Sequence, residues 1–148
     1  MERKRNTSEP GGAPPAIILD TNVFVGAGFN PRSHSARLVD AVRNGHLRMV
    51  WNEATRRETE RILRQIPRLA WEHFAPLFRE EDQFAGETHP EEFDYVPDPA
   101  DRKFAALADA ARVPLVTSDA DLLQGRARAR VPIITPAEFV RRYPLDAG

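Results

Sequence analysis

The sequence predicts an α/β domain, with a mainly parallel central sheet covered by helices on both faces. Three observations predict it. Short apolar runs such as Ile17-Ile18-Leu19 and Val113-Pro114-Leu115-Val116 suit strands buried on both faces, the pattern of parallel sheets. Segments of helical periodicity lie between these runs, as βαβ connections require. Two of the runs end abruptly in polar residues that include a carboxylate, Asp20-Thr21-Asn22 and Thr117-Ser118-Asp119. Open α/β sheets gather their ligands at such strand ends.

Taken in order, residues 1–15 are charged and rich in Gly and Pro, and read as a disordered tail. Residues 16–19 form the first strand, and the glycines of residues 26–31 mark a turn-rich loop after it. Residues 35–44 carry Ala36, Val39, Ala41 and Val42 near helical spacing, with Asn44-Gly45 as the stop. Residues 47–51 alternate as a second strand. Residues 53–65 are helical, with Ile62, Leu63 and Ile66 on the apolar edge, and Pro67 breaks them. The aromatic-rich residues 69–84 read as another helical stretch, interrupted or started by Pro76. Its apolar surface exceeds what a small domain needs to bury, which points to a homodimer or a partner-protein interface.

Residues 87–99 are acidic and proline-punctuated, a connection in which residues 93–96 form a short strand. Residues 99–112 are the clearest helix, opened by Asp98 as N-cap and Pro99 as first helical residue. Residues 113–117 are a buried strand, 119–123 a helical turn, 126–130 a basic loop and 131–134 the last strand. Thr135 caps a final helix over residues 136–143, and residues 145–148 are a tail. The chain of 148 residues is thus one domain over residues 16–144.

Composition excludes several functions. Without cysteine there is no disulfide, thiolate nucleophile or cysteine-based zinc site. No apolar run approaches the roughly 20 residues of a membrane span, and no secretory core is visible, so a cytoplasmic location is expected. The formal net charge of -1 gives no overall positive field to attract a polyanion. The basic residues are nearly all arginine, with Lys4 and Lys103 the only lysines.

What remains is a set of acids. Asp20 closes the first strand. On the helix of residues 53–65, Glu58 lies about 80° from the centre of the stripe Thr55, Thr59, Ile62 and Ile66, while Glu53 and Glu60 lie further towards solvent. Asp101 sits on the core-facing side of its helix, three and four residues before Phe104 and Ala105, where a charge wants a partner. Asp119 repeats the strand-end theme, and Asp121 follows two residues on. Each has an ordinary explanation as a cap, a turn residue or an exposed ion pair. Together they lie at two strand ends and two helix flanks of one sheet.

These segments resemble those of the PIN-domain nucleases. The carrying residues are Leu19-Asp20-Thr21-Asn22-Val23-Phe24-Val25, then Glu58-Thr59-Glu60-Arg61-Ile62-Leu63, then Asp98-Pro99-Ala100-Asp101-Arg102-Lys103-Phe104-Ala105-Ala106-Leu107-Ala108, and Val116-Thr117-Ser118-Asp119-Ala120-Asp121-Leu122-Leu123. The closing Pro132-Ile133-Ile134-Thr135-Pro136-Ala137-Glu138-Phe139 extends the likeness to about Tyr143. The resemblance implies a three-layer α/β/α sandwich and a metal-dependent ribonuclease, with Asp20, Glu58, Asp101 and Asp119 catalytic. They would bind Mg²⁺ or Mn²⁺, with Asp121 as an auxiliary ligand and Asn22, Thr117 and Ser118 supporting them. Arg56 and Arg57 stand where the family has apolar or small residues, which leaves Glu60 as an alternative to Glu58.

Oxygen-only ligands favour hard cations, and clustered carboxylates need one. The implied reaction is phosphodiester hydrolysis leaving a 5′-phosphate and a 3′-hydroxyl. His34, His46, His73 and His89 have no part in it and are expected at the surface or in packing. Arg32, Arg37, Arg57, Arg102, Arg126, Arg128 and Arg130 are candidates for contacts to an RNA substrate. The resemblance further implies the toxin of a toxin–antitoxin pair, with an antitoxin protein as partner. The alternative is a PIN-fold module with weak or no turnover that binds nucleic acid or protein. Phosphoryl transfer through Asp20 as nucleophile is disfavoured, because the haloacid-dehalogenase type has an aspartate where Asn22 stands.

Overall fold

A computed structural model describes residues 13–143 and 145. The expected tails, residues 1–15 and 145–148, fall largely outside the described residues. Within them, the Pro15 carbonyl accepts from the Arg48 amide, and Leu145 packs on the core.

Four parallel strands form the sheet: β1 (Ala16–Leu19), β2 (Arg48–Met49), β3 (Leu115–Val116) and β4 (Ile133–Ile134), in the order β2-β1-β3-β4. A bridge between Trp51 and Gln83 continues the β2 edge. The helices are α1 (Thr21–Phe29), α2 (His34–Arg43), α3 (Glu53–Arg64), α4 (Trp71–Phe74), α5 (Arg102–Ala111), α6 (Ala120–Gln124) and α7 (Pro136–Arg142).

Alternation along the strands sends side chains into two cores. Ile17, Leu19, Val116 and Ile134 join one cluster with Val23 and Phe24 of α1, Leu38 and Val42 of α2, Leu63 of α3 and Phe139 of α7. Ile18, Leu115 and Ile133 join the other, with Phe104, Leu107 and Ala108 of α5 and Leu122 of α6. Two cores on opposite faces of one parallel sheet make the three-layer α/β/α sandwich.

The chain turns to one side of β1 to make β2 and to the other to make β3 and β4, so the sheet's switch point lies between β1 and β3. The register Leu19↔Val116 sets the ends of those strands side by side. Asp20 therefore meets Thr117, and its amide donates to the Val116 carbonyl at 3.2 Å.

Three elements differ from expectation. The loop expected at residues 26–31 is mostly α1, in which Gly26 and Gly28 are helical. A Cβ on Gly28 would stand 2.6 Å from Leu69 Cδ2, and one on Gly26 would stand 3.4 Å from Ser35 Oγ. These glycines allow close packing of the helix rather than ending it. The helix expected over residues 69–84 is divided into α4 and short 3₁₀ turns, since Pro67, Pro76 and the left-handed Ala70 (φ 56°) prevent a continuous one. Leu69, Trp71, Phe74 and Leu77 are buried, so this segment is core and gives no surface argument for a partner. Finally, residues 93–96 form a turn, not a strand. The Arg102 guanidinium satisfies the Val96 and Asp94 carbonyls there.

Phe24 is the centre of the larger core, fully buried, with its ring 5.8 Å from Phe74 edge-on and 5.7 Å from Phe78 in a stack. Phe24→Ala is expected to cost about 3–5 kcal/mol of unfolding free energy, read by urea denaturation. A loss below about 1 kcal/mol would mean that the aromatic cluster is not part of the cooperative core.

Candidate metal centre

The C-terminal ends of β1 and β3 each pass directly into a helix N-cap. Asp20 caps α1 and accepts from the Val23 amide at 3.2 Å, and Asp119 caps α6, accepting from the Asp121 amide at 2.8 Å. Asp98 caps the 3₁₀ turn Pro99–Asp101 that leads into α5, accepting from the Ala100 amide at 3.0 Å. Capping places each carboxylate at the positive end of a helix or turn and fixes its direction. The same strand-to-helix chemistry thus delivers the acids to one place.

That place is a cleft of about 190 Å³ lined by Asp20, Thr21, Asn22, Glu58, Ile62, Asp98, Ala100, Asp101, Phe104 and Asp119. The four acids expected to be catalytic all line it. Glu58, not Glu60, faces it; Glu60 instead bonds Arg56 and Arg64 along α3 at 3.1 and 2.7 Å. Asp121 lies beside it, with carboxylate oxygens of Asp98, Asp101 and Asp121 within 4.8 Å of one another. Asp98 was read from the sequence as a cap alone. It is a cap, and it is also part of the acidic wall. Its place three residues before Asp101, within the first turn of the same element, was the available signal.

The supporting groups divide. Thr117 is fully buried, donates its hydroxyl to Asp20 Oδ2 and accepts from the Asp119 amide at 2.9 Å, so one hydroxyl couples both strand-end acids. Asn22 donates to Asp119 Oδ2 at 3.4 Å. Ser118 is exposed and makes no recorded side-chain bond among the described residues. The Thr21 hydroxyl bonds that of Thr59 at 3.0 Å, tying α1 to α3 one residue from Glu58, a contact the sequence did not disclose.

Electrostatically the cleft lacks positive charge where its aspartates meet. Asp20 is 3% exposed. Its pKa is pushed up from 3.8 to about 6, chiefly by burial and further by the Asp119 charge, against the lowering effect of the Thr117 and Val23 bonds. Asp101 is pushed up to about 7, by burial first and then by the charges of Asp119, Asp98 and Asp20. Asp101 Oδ2 is buried with no hydrogen-bond partner among the described residues. An unpartnered buried carboxylate oxygen among like charges is costly for a protein that leaves it so, and a cation relieves both costs. The all-oxygen donor set fits a hard divalent ion. Glu58 is different: Arg61 donates to both its oxygens at 3.1 and 3.2 Å, and Lys103 donates to Oε1 at 3.2 Å.

The expected RNA-contacting arginines have varied surroundings. Arg57 bonds Glu53, Arg126 bonds Glu138 and the Ile133 carbonyl, Arg130 pairs with Asp109 at 2.6 Å, and Arg128 lies over the Tyr95 ring. Arg102 holds the turn before α5. Arg32 is exposed and Arg37 half-buried. The four histidines are exposed and none lines the cleft. No helix among the described residues is long and apolar enough to cross a membrane.

In fold the chain is similar to the protein PAE2754 from Pyrobaculum aerophilum, with a TM-score of 0.51 and 18% identity over 86% of this chain and 96% of that one. No curated protein matches it. The family model of the PIN domain matches residues 16–121, which run from β1 to the acid beyond Asp119 and include every acid of the cleft. By that match over most of its length, and by the nuclease-type fold it carries, the chain belongs to the PIN-domain family.

Proposed function

We propose that this protein is a ribonuclease that hydrolyses phosphodiester bonds with Mg²⁺ or Mn²⁺. The observation that carries the reading is the buried, unpartnered Asp101 Oδ2 among carboxylates whose pKa values are raised, first by burial and then by one another's charge. Asp20, Asp101 and Asp119 would hold the ion, with Asp98 and Asp121 next to Asp101. When bound, the ion supplies positive charge for an in-line displacement at phosphorus and eases the deprotonation of water. The chain's own part is orientation. Thr117 fixes the Asp20 carboxylate, the Asp119 amide fixes Thr117, and Asn22 holds Asp119. Because these groups are set by strand register and helix caps, little reorganisation is needed as the ion and substrate arrive.

The role as toxin of a toxin–antitoxin pair, with an antitoxin partner or a second copy of the chain, rests on family resemblance. A neighbouring gene for a small antitoxin would support it.

The test is cleavage of structured and single-stranded RNAs with Mg²⁺ or Mn²⁺, beside EDTA and Asp101→Asn. Products that disappear in both controls are expected. Mn²⁺ uptake without cleavage of any RNA would turn the reading to a nucleic-acid- or protein-binding PIN module. Cleavage that survives EDTA would overturn it.

A further inference from the structure

Lys103 is the one lysine among the described residues, in a chain whose basic residues, Lys4 and Lys103 apart, are arginines. It stands two residues after Asp101 and directly before Phe104, both of which line the acidic cleft. Its ammonium donates to Glu58 Oε1 at 3.2 Å, one hydrogen bond from the cleft wall. The Lys103 and Glu58 side chains are 24% and 16% exposed, so the pair is drawn in from solvent without being sealed from it.

The two partners of this bond are unequally occupied. Glu58 receives two bonds from Arg61 and one from Lys103, which uses most of the roughly four acceptor positions of a carboxylate. It already has compensating charge, whereas Asp101 Oδ2 has no partner. An ammonium offers about three donors, and Glu58 takes one. Lys103 has no other recorded partner among the described residues. A guanidinium would engage the carboxylate as a fork, while an ammonium is a compact point charge with donors to spare.

We propose that Lys103 binds a phosphate oxygen of the nucleic-acid backbone at the cleft. Glu58 serves as the anchor that positions it, and the divalent ion is held by the aspartates. Glu58 is then not a ligand of that ion, although the family resemblance implies that it is. The inference rests on the metal-dependent nuclease reading above, and its test separates the two.

The full chain is titrated with Mn²⁺, free ion being followed by electron paramagnetic resonance. Asp101→Asn should weaken Mn²⁺ binding by about tenfold or more, and Glu58→Gln by less than about threefold. In a second measurement, a fluorescein-labelled single-stranded RNA is bound in Ca²⁺ over a range of salt. Lys103→Gln should weaken binding about tenfold and lower the salt slope by about one phosphate contact, with Lys103→Arg keeping the slope. Glu58→Gln weakening Mn²⁺ as much as Asp101→Asn would overturn this inference and leave the nuclease reading standing. A Lys103→Gln protein that melts earlier but keeps its salt slope would reduce the pair to a tether between α3 and α5. No Mn²⁺ uptake, or no RNA binding, by the parent protein would overturn both readings.

Discussion

Asp20→Asn is expected to lower RNA cleavage by at least about a hundredfold while making the metal-free fold more stable at pH 7. The two effects have one source. Asp20 is buried at the switch point of the sheet, and its folded-state pKa of about 6 lies above the 3.8 of an exposed aspartate. At pH 7 the carboxylate is ionised in both states, so the fold carries the full penalty of holding that charge. About two pKa units correspond to up to about 3 kcal/mol. Asparagine has the same shape without the charge. Its carbonyl can still accept from the Val23 amide, and its NH₂ can donate to the Thr117 hydroxyl. The variant therefore keeps the cap of α1 and loses the repulsion. It also loses the negative charge that would attract the ion. Loss of activity with a raised melting temperature is a result that misfolding does not produce. Undiminished cleavage would remove Asp20 from the chemistry. A variant that loses both activity and stability would show that the carboxylate is structural.

Much of this architecture was legible in the residues, and the exceptions have physical causes. Strands buried on both faces announce themselves as unbroken apolar runs, and the acids at their ends announce the switch point. Helix α1 was hidden because glycine is a poor helix former, so Gly26 and Gly28 read as a loop. What those glycines provide is room for Leu69 and Ser35, a property of the partner and not of the local sequence. Residues 69–84 share the composition of an amphipathic helix, yet the left-handed Ala70 and Pro76 divide them into turns. In the site, Glu58 was separated from Glu60 by helical phase alone, because the Thr55 and Thr59 side of α3 is its buried face. Asp98 was concealed by having a sufficient local role as a cap. The Glu58–Lys103 bond joins residues 45 apart, and no periodicity carries such a pairing. The only trace of it was the presence of a lysine where the chain's habit is arginine.

The stabilisation given by Mg²⁺ is expected to be larger at pH 8 than at pH 5, and Asp20→Asn should shrink that difference. The two shifted aspartates of the cleft are both raised, Asp20 to about 6 and Asp101 to about 7, from an unfolded value of 3.8. Between pH 4 and pH 7, roughly, the folded chain then binds more protons than the unfolded one, so these groups make metal-free stability fall as pH rises. At pH 5 the protons already relieve the crowding, and an ion must displace them to bind. At pH 8 the carboxylates are charged and the ion meets no such competitor. With Mg²⁺ at about a hundred times its dissociation constant the gain is about 2.7 kcal/mol, a rise of several degrees in the melting temperature of a chain this size. Asp101 is only partly buried, so solvent screens its share, and Asp20 carries the larger part of the stability effect. Melting curves at the two pH values, with and without Mg²⁺, test this directly. Comparison with Asp20→Asn cancels the contributions of groups common to both proteins. An equal Mg²⁺ shift at both pH values would mean that the ion binds away from Asp20 and Asp101. The raised pKa values would then reflect burial that no cation relieves.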